Sequence, residues 1–186
     1  MATNFEYRKL AVRGLTRDIG VYVLADLDNV PLYVGQSVDG IRQRVQRHLT
    51  SARSDIIANR QIDIWEVAYV WEYPSPRGNL DLLEAALFHH FDPKSSLMNG
   101  KQPGVQGVPN SMLAPSKVVQ VMSSEEIQEK IAIQQRLPRQ ANHYAEVTSH
   151  FLNIKNSAEI ARAMNAHFAR LSKYHSMMLK SEMTED

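Results

Sequence analysis

The stretch GVYVLADLDNVPLYVG, residues 20–35, decides the fold. Both ends are rich in β-branched and aromatic residues. Asp28 and Asn29 between them tolerate turn backbones, so the segment reads as two short strands joined by a tight connection. Pro31 suits the mouth of the second strand rather than its middle. Further along, Ile41, Val45 and Leu49 recur every four residues over 40–53 with arginines between them, which predicts a helix introduced by Asp39-Gly40. A third strand is expected over 62–73 (IDIWEVAYVWEY), with its alternation slipping around Glu66 and Pro74 and Pro76 closing it. Asn79 is placed to cap a helix from Leu80 to about Phe91, with Leu83, Leu87 and Phe91 on one stripe. Residues 92–115 hold four of the eight prolines and read as an extended loop.

The chain changes character at Ser116. Ser123-Ser124-Glu125-Glu126 has the form of a helix start, a serine oxygen meeting orphan amides and carboxylates complementing the dipole. Pro138 is expected to end that helix, and two more follow near 140–153 and 157–179. In the last, Ile160, Met164, Phe168, Leu171 and Met178 are spaced for one apolar face, which serves either internal packing or a homodimer interface. The expected class is α+β: a small three-stranded antiparallel sheet flanked by helices over 1–115, and a helical extension over 116–186 for DNA binding or dimerisation.

Composition bounds the function. The 186 residues are 44% apolar and 22% charged, which excludes collagen-like and highly charged disordered classes. There is no cysteine, so disulfides, thiolate nucleophiles and Cys-ligated zinc are excluded together. No apolar run has the ~18 residues a membrane span needs, and the first residues lack a signal-like apolar segment; a cytoplasmic location is the expectation. The net charge of +1 is too small for a nucleic-acid coat, so any polyanion must meet a local patch. The densest one comprises Arg42, Arg44, Arg47, His48, Arg53 and Arg60; its plain alternative is a solvated helix face.

Chemistry enters with spacing. Tyr22 in GVY and Tyr33 in YVG are eleven residues apart, Arg44 is eleven further on, and His48 follows one helical turn later. Glu84 lies between Leu83 and Ala85-Ala86-Leu87 in an otherwise apolar helix, where an unpartnered carboxylate is costly and calls for a partner or a metal. Asn99 comes fifteen residues after it. Taken singly, the tyrosines are ordinary strand aromatics, and Arg44 with His48 an ordinary helix edge. Hydrolysing a phosphodiester requires a positioned nucleophile, neutralisation of charge developing on phosphate, and help for the leaving oxygen. A lone carboxylate suits Mg²⁺, which keeps several waters; a guanidinium fork matches phosphate oxygens; a phenol with a nearby cation or imidazole can orient or deprotonate water. His89-His90 cannot face one ion from a helix, Ser37 lacks a nucleophile elbow, and YVGQSVDG lacks the glycine pattern of a P-loop.

The ordered set Tyr22, Tyr33, Arg44, His48, Glu84 and Asn99 resembles the GIY-YIG nuclease superfamily over about residues 17–105. The resemblance implies a DNA endonuclease using one divalent metal, Mg²⁺ or Mn²⁺, held by Glu84, with Asn99 in a supporting role. Many members place the arginine ten residues after the second tyrosine, so Arg42 rivals Arg44; only Arg44 has a histidine four residues on. Arg42, Arg47 and Arg53 are expected to contact nucleic acid, and Gln102, Gln106 and Asn110 are candidates for base edges. A restriction or defence nuclease is the leading expectation. The alternatives are a structure-specific repair or recombination nuclease, and a non-catalytic nucleic-acid-binding module on the same scaffold.

Overall fold

The computed structural model describes residues 5–50, 61–104 and 110–182. Strands β1 (Gly20–Ala25), β2 (Pro31–Ser37), β3 (Tyr69–Pro74) and β4 (Lys117–Gln120) form one antiparallel sheet in the order β2-β1-β3-β4. The sheet therefore has four strands, not three. The fourth comes from the first residues of the expected helical extension, ahead of its first helix; KVVQ is too short to announce itself, and it becomes a strand by extending the free edge of β3. Helices α1 (Phe5–Val12), α2 (Ile41–Thr50) and α3 (Leu80–Ser95) surround the sheet, and α4 (Ser124–Ile131), α5 (Ile133–Asn153) and α6 (Ala158–Glu182) follow it.

β1 is buried along its whole length, as its unbroken apolar run requires of a central strand covered on both faces. Tyr22, Leu24 and Val70 face Val12 of α1, the stripe Ile41, Val45 and Leu49 of α2, and Ala166 of α6. Val21, Val23, Val34 and Tyr73 face the other way, onto Leu80, Leu83, Leu87, Phe88 and Phe91 of α3. Gly40, at φ 104°, turns the chain into α2 in a conformation that disfavours any side chain. The first amides of α2 bond back to carbonyls of the preceding loop, Ile41 to Asp18 (3.0 Å) and Arg42 to Thr16 (3.0 Å).

β3 begins at Tyr69 rather than near 62. Residues 63–67 turn instead: Asp63 Oδ1 accepts from the Trp65 amide (2.9 Å), and Glu66 N donates to Asp63 O (3.1 Å). The slip at Glu66 reflects its destination. Its buried carboxylate accepts from Arg136 Nε (3.0 Å) and pairs with Arg139, both on α5. Asp26, at the end of β1, is buried and does two tasks. Its Oδ1 accepts from the amides of Asp28 (2.9 Å) and Val30 (2.8 Å), shaping the hairpin turn around Asn29 (φ 58°). Its Oδ2 accepts from Arg136 (3.1 Å) and from Arg170 on α6, while the Arg136 guanidinium lies 4.1 Å from the Tyr174 ring centroid. The C-terminal helices thus dock on the hairpin end of the sheet through a buried ionic network.

Pro138 does not end a helix. The break falls at Ala132 (ψ 131°), and Pro138 sits early in α5 between the anchored Arg136 and Arg139. The Ser123 hydroxyl does cap α4, accepting from the Glu126 amide (3.2 Å). α6 buries a different stripe from the one expected: Ile160, Ala163, Ala166, His167, Arg170 and Tyr174 face inward, and Phe168 is 54% exposed. The inward stripe is polar because its partners are buried acids and carbonyls.

His167 illustrates the cost. Fully buried, it donates from Nε2 to Gln61 O (2.9 Å), and its ring centroid lies 4.6 Å from that of His143 with the planes tilted; burial first, then His143, pushes its pKa down to about 3. In the unfolded chain it protonates near 6.5. The folded protein resists that proton, so its stability is intact above pH 6.5 and declines as pH falls from there toward 3, by at most about 1.4 kcal/mol per pH unit. Urea unfolding at pH 7.5 and pH 5 will show this decline, and His167→Gln will flatten it.

Candidate active site

β2 is an edge strand, and the site wraps around its edge. Tyr22 pairs with Gly35 across β1 and β2, and Leu24 with Tyr33, so both phenols rise on the α2 face of the sheet. A Cβ at Gly35 would lie 2.5 Å from Tyr22 Oη and 2.7 Å from the Tyr33 ring. The glycine of YVG leaves the space in which the two phenols meet. Gly35→Ala is therefore expected to displace the Tyr22 hydroxyl and to cost about 1–3 kcal/mol by overpacking, read as a lowered urea midpoint. Tyr22 is completely buried, and its hydroxyl lies 2.8 Å from His48 Nε2 on α2. Tyr22, Tyr33 and His48 form a ring cluster, with centroids 5.9 to 6.4 Å apart. Burial, reinforced by the Tyr33 phenol, holds the Tyr22 pKa well above the ordinary phenol range; Arg44, hydrogen-bonded to Tyr22, pulls it the other way.

On the opposite face, Gln36 Nε2 reaches α3, donating to Glu84 Oε2 (3.0 Å) and Asp81 Oδ1 (2.7 Å). Glu84 is half-buried, and burial, with the Asp81 charge adding to it, raises its pKa to about 7; Gln36 and Arg44 oppose the shift. Arg44 acts electrostatically on both Tyr22 and Glu84 and lines one cleft with Glu84. Tyr33, Arg44, Glu84, Phe88 and Asn99 open into one cleft of about 820 Å³. Only an edge strand lets side chains from both faces of a sheet converge in this way.

Of the six expected positions, Tyr33, Arg44, Glu84 and Asn99 thus line the cleft, and Tyr22 and His48 are buried against Tyr33. Asn99 differs in manner: it reaches no other candidate side chain but brackets the backbone of Val34, accepting from its amide (3.0 Å) and donating to its carbonyl (2.7 Å). Arg42 stands apart, its guanidinium donating to Leu15 O (2.7 and 2.5 Å). Arg47 is exposed beside a smaller hollow with Ser37, Asp39, Gln43 and Arg44. Arg53, Arg60 and Gln106 lie outside the described residues, as does the Asn110 side chain, while Gln102 lines the cleft. Sequence reasoning missed Gln36, Gln61, Lys101, Lys155, Glu159 and Ile160, all near the two carboxylates or in the cleft wall. Gln36 had a signal, since it directly follows the YVG tripeptide and alternation turns it toward α3. The residues from beyond position 150 had none.

Residues 18–98 match the sequence family of the GIY-YIG catalytic domain. The match covers 81 of the 186 residues; over them the chain is similar to the catalytic domain of the GIY-YIG nucleases, which supports a nuclease of that general kind. No curated protein and no solved structure matches the chain significantly. Among the described residues no helix is long and apolar enough to cross a membrane.

Proposed function

We propose that the protein is a divalent-metal-dependent DNA endonuclease acting in restriction or defence. The observation that carries the catalytic part is one cleft lined by Tyr33, Arg44 and Glu84, with the hydrogen-bonded Tyr22 and His48 buried against Tyr33. Glu84 fits a hydrated divalent cation. It is a half-buried carboxylate at the cleft whose hydrogen-bond partner is a neutral amide, and its raised pKa marks a negative charge the protein alone stabilises poorly. A lone carboxylate suits Mg²⁺ or Mn²⁺, which keep several of their waters when bound. When bound, the cation supplies charge neutralisation at phosphate and assistance to the leaving 3′ oxygen.

The chain's own residues do the rest. As the water oxygen bonds to phosphorus and the P–O3′ bond breaks, the water proton passes inward to the buried Tyr22–His48 pair behind the cleft, whose phenol oxygen and Nε2 lie 2.8 Å apart, and the departing 3′ oxygen takes a proton from solvent. Burial disfavours a free phenolate, so a concerted shift suits Tyr22 better than prior ionisation. Arg44 offers its fork to the non-bridging oxygens, and Tyr33 orients groups at the cleft mouth. Gln61, Gln102 and Lys101 in the same wall support sequence-dependent contact with DNA, the amides suiting adenine edges and the ammonium a phosphate. Arg47 is proposed as a phosphate contact; Arg42, spent on Leu15, is proposed only as a brace of α2.

The test is a Mg²⁺ and Mn²⁺ titration on plasmid DNA followed by sequencing of the cut ends. Cuts at a recurring sequence support restriction or defence. Cuts confined to branched or flapped DNA support the repair reading, and metal-independent binding without cleavage supports the non-catalytic module. Phe168, with Leu179 and Met177 exposed on α6, makes a homodimer the proposed assembly, read by light scattering; a two-fold enzyme would leave palindromic ends.

A further inference from the structure

We infer that Arg162 on α6 is a positioning residue for the cleaving site, so that the C-terminal helices form part of the catalytic body; this rests on the nuclease function proposed above. Its guanidinium uses its donors on one short segment. Nη1 donates to the carbonyls of Leu97 (2.8 Å) and Asn99 (3.1 Å), and Nη2 donates to Asp92 Oδ1 (2.5 Å), which also accepts from the Leu97 amide (3.0 Å). The guanidinium carbon lies 5.0 Å from the Phe88 ring centroid, one helical turn beyond Glu84.

The segment held in this way runs beside the outer edge of β2. Met98 N donates to Leu32 O (2.7 Å), and the Asn99 amide brackets Val34 at both backbone groups. Val34 lies between Tyr33 and Gly35, the residues that set the phenol geometry. β2 has β1 on one side; on the other, the 97–99 segment takes the place of a further strand, and Arg162 fixes it from behind. Arg162 faces a small hollow with Asp92, Ser96 and Asn165 rather than the cleft, so it acts through geometry and not by touching substrate. On the cleft side, the same stretch of chain contributes Lys155, Glu159 and Ile160 to the wall facing Arg44 and Glu84. Lysine offers a point charge and cannot span three acceptors, so Arg162→Lys is expected to fail as Arg162→Ala does.

The experiment compares the full-length wild type, Arg162→Ala, Arg162→Lys, Asn99→Ala, Glu84→Ala and the Arg162→Ala/Asn99→Ala double variant, using single-turnover cleavage and amide hydrogen exchange. Loosening the site without removing a reacting group lowers kcat by about a hundred-fold with KM within about twofold. Exchange at the Val34 amide speeds up by about tenfold, one charge-assisted hydrogen bond's effect, while the Val23 amide in the central strand is unchanged. The double variant cleaves no more slowly than Asn99→Ala, because both act through one segment. Wild-type kcat in a folded Arg162→Lys protein, a KM increase at constant kcat, or multiplicative losses in the double variant would each overturn the inference. Should the wild type fail to cleave, the nuclease function falls; should Glu84→Ala cleave normally, the metal role of Glu84 falls. The exchange rate at Val34 still decides whether Arg162 holds the strand edge.

Discussion

Glu84→Gln is expected to abolish metal-dependent cleavage while making the protein more stable. The substitution keeps the side chain's shape and its contact with Gln36, but it removes the one charge on α3 proposed to hold the cation. Losing the group that neutralises charge at the reacting phosphate costs about a thousand-fold or more in rate. The stability change runs the other way. Glu84 has a folded pKa of about 7, against an ordinary carboxylate value of 4.5. The folded state therefore holds a proton that the unfolded chain gives up. The group's favourable contribution is complete below pH 4.5 and is lost as pH rises toward 7. At pH 8 the wild type bears a carboxylate that its surroundings disfavour, and the glutamine variant does not. Because Glu84 is partly exposed, the gain is on the order of 1 kcal/mol. Urea denaturation in EDTA at pH 8 measures it, and addition of Mg²⁺ should raise the wild-type midpoint but not the variant's. A variant that is inactive but less stable would mean that Glu84 is a structural residue, and the metal assignment would fail.

This opposition between function and stability explains why Glu84 was legible in the sequence. A carboxylate in an apolar helix breaks the local rule, and such breaks mark places where packing has yielded to chemistry. The hairpin, α2 and α3 were legible for the converse reason: Ile41, Val45 and Leu49, or Leu83, Leu87 and Phe91, state their buried face within three turns. The buried face of α6 was not legible, because His167 and Arg170 turn inward only to meet Gln61 and Asp26, which lie far away in sequence. A periodicity argument that counts apolar residues selected Phe168 instead. The same blindness lengthened β3, since Glu66 leaves the strand pattern to reach Arg136 seventy residues later. Clustering of the six site positions could be inferred from their order. That the cleft's far wall comes from α6 could not, because the contacts that place it run from Arg162 to backbone carbonyls, which no side-chain pattern records.

The second large effect is expected at Arg136. This side chain is 2% exposed and meets three carboxylates: Asp26, Asp28 and Glu66. Burial opposes its charge, but Glu66 and the two aspartates outweigh that, and its pKa is raised. Replacing it with methionine preserves much of the stem's volume but removes the guanidinium from the Tyr174 ring and leaves Asp26 and Glu66 buried with one cation fewer. Breaking a buried pair from one side costs about 3–5 kcal/mol, a large share of the roughly 5–15 kcal/mol that holds a domain of this kind together. At about 2–4 °C per kcal/mol for a chain of this length, Arg136→Met should lower Tm by roughly 10 °C or more. The loss should be partly recoverable. Glu66→Gln placed on Arg136→Met removes one stranded charge, so the double variant should be more stable than the sum of the single effects. Thermal unfolding of the four proteins at pH 7 gives the coupling directly. If the effects simply add, Arg136 and Glu66 do not act as a pair. The docking of α5 and α6 on the hairpin end of the sheet would then rest on apolar packing such as that of Ala166 in the sheet core and not on the ionic network.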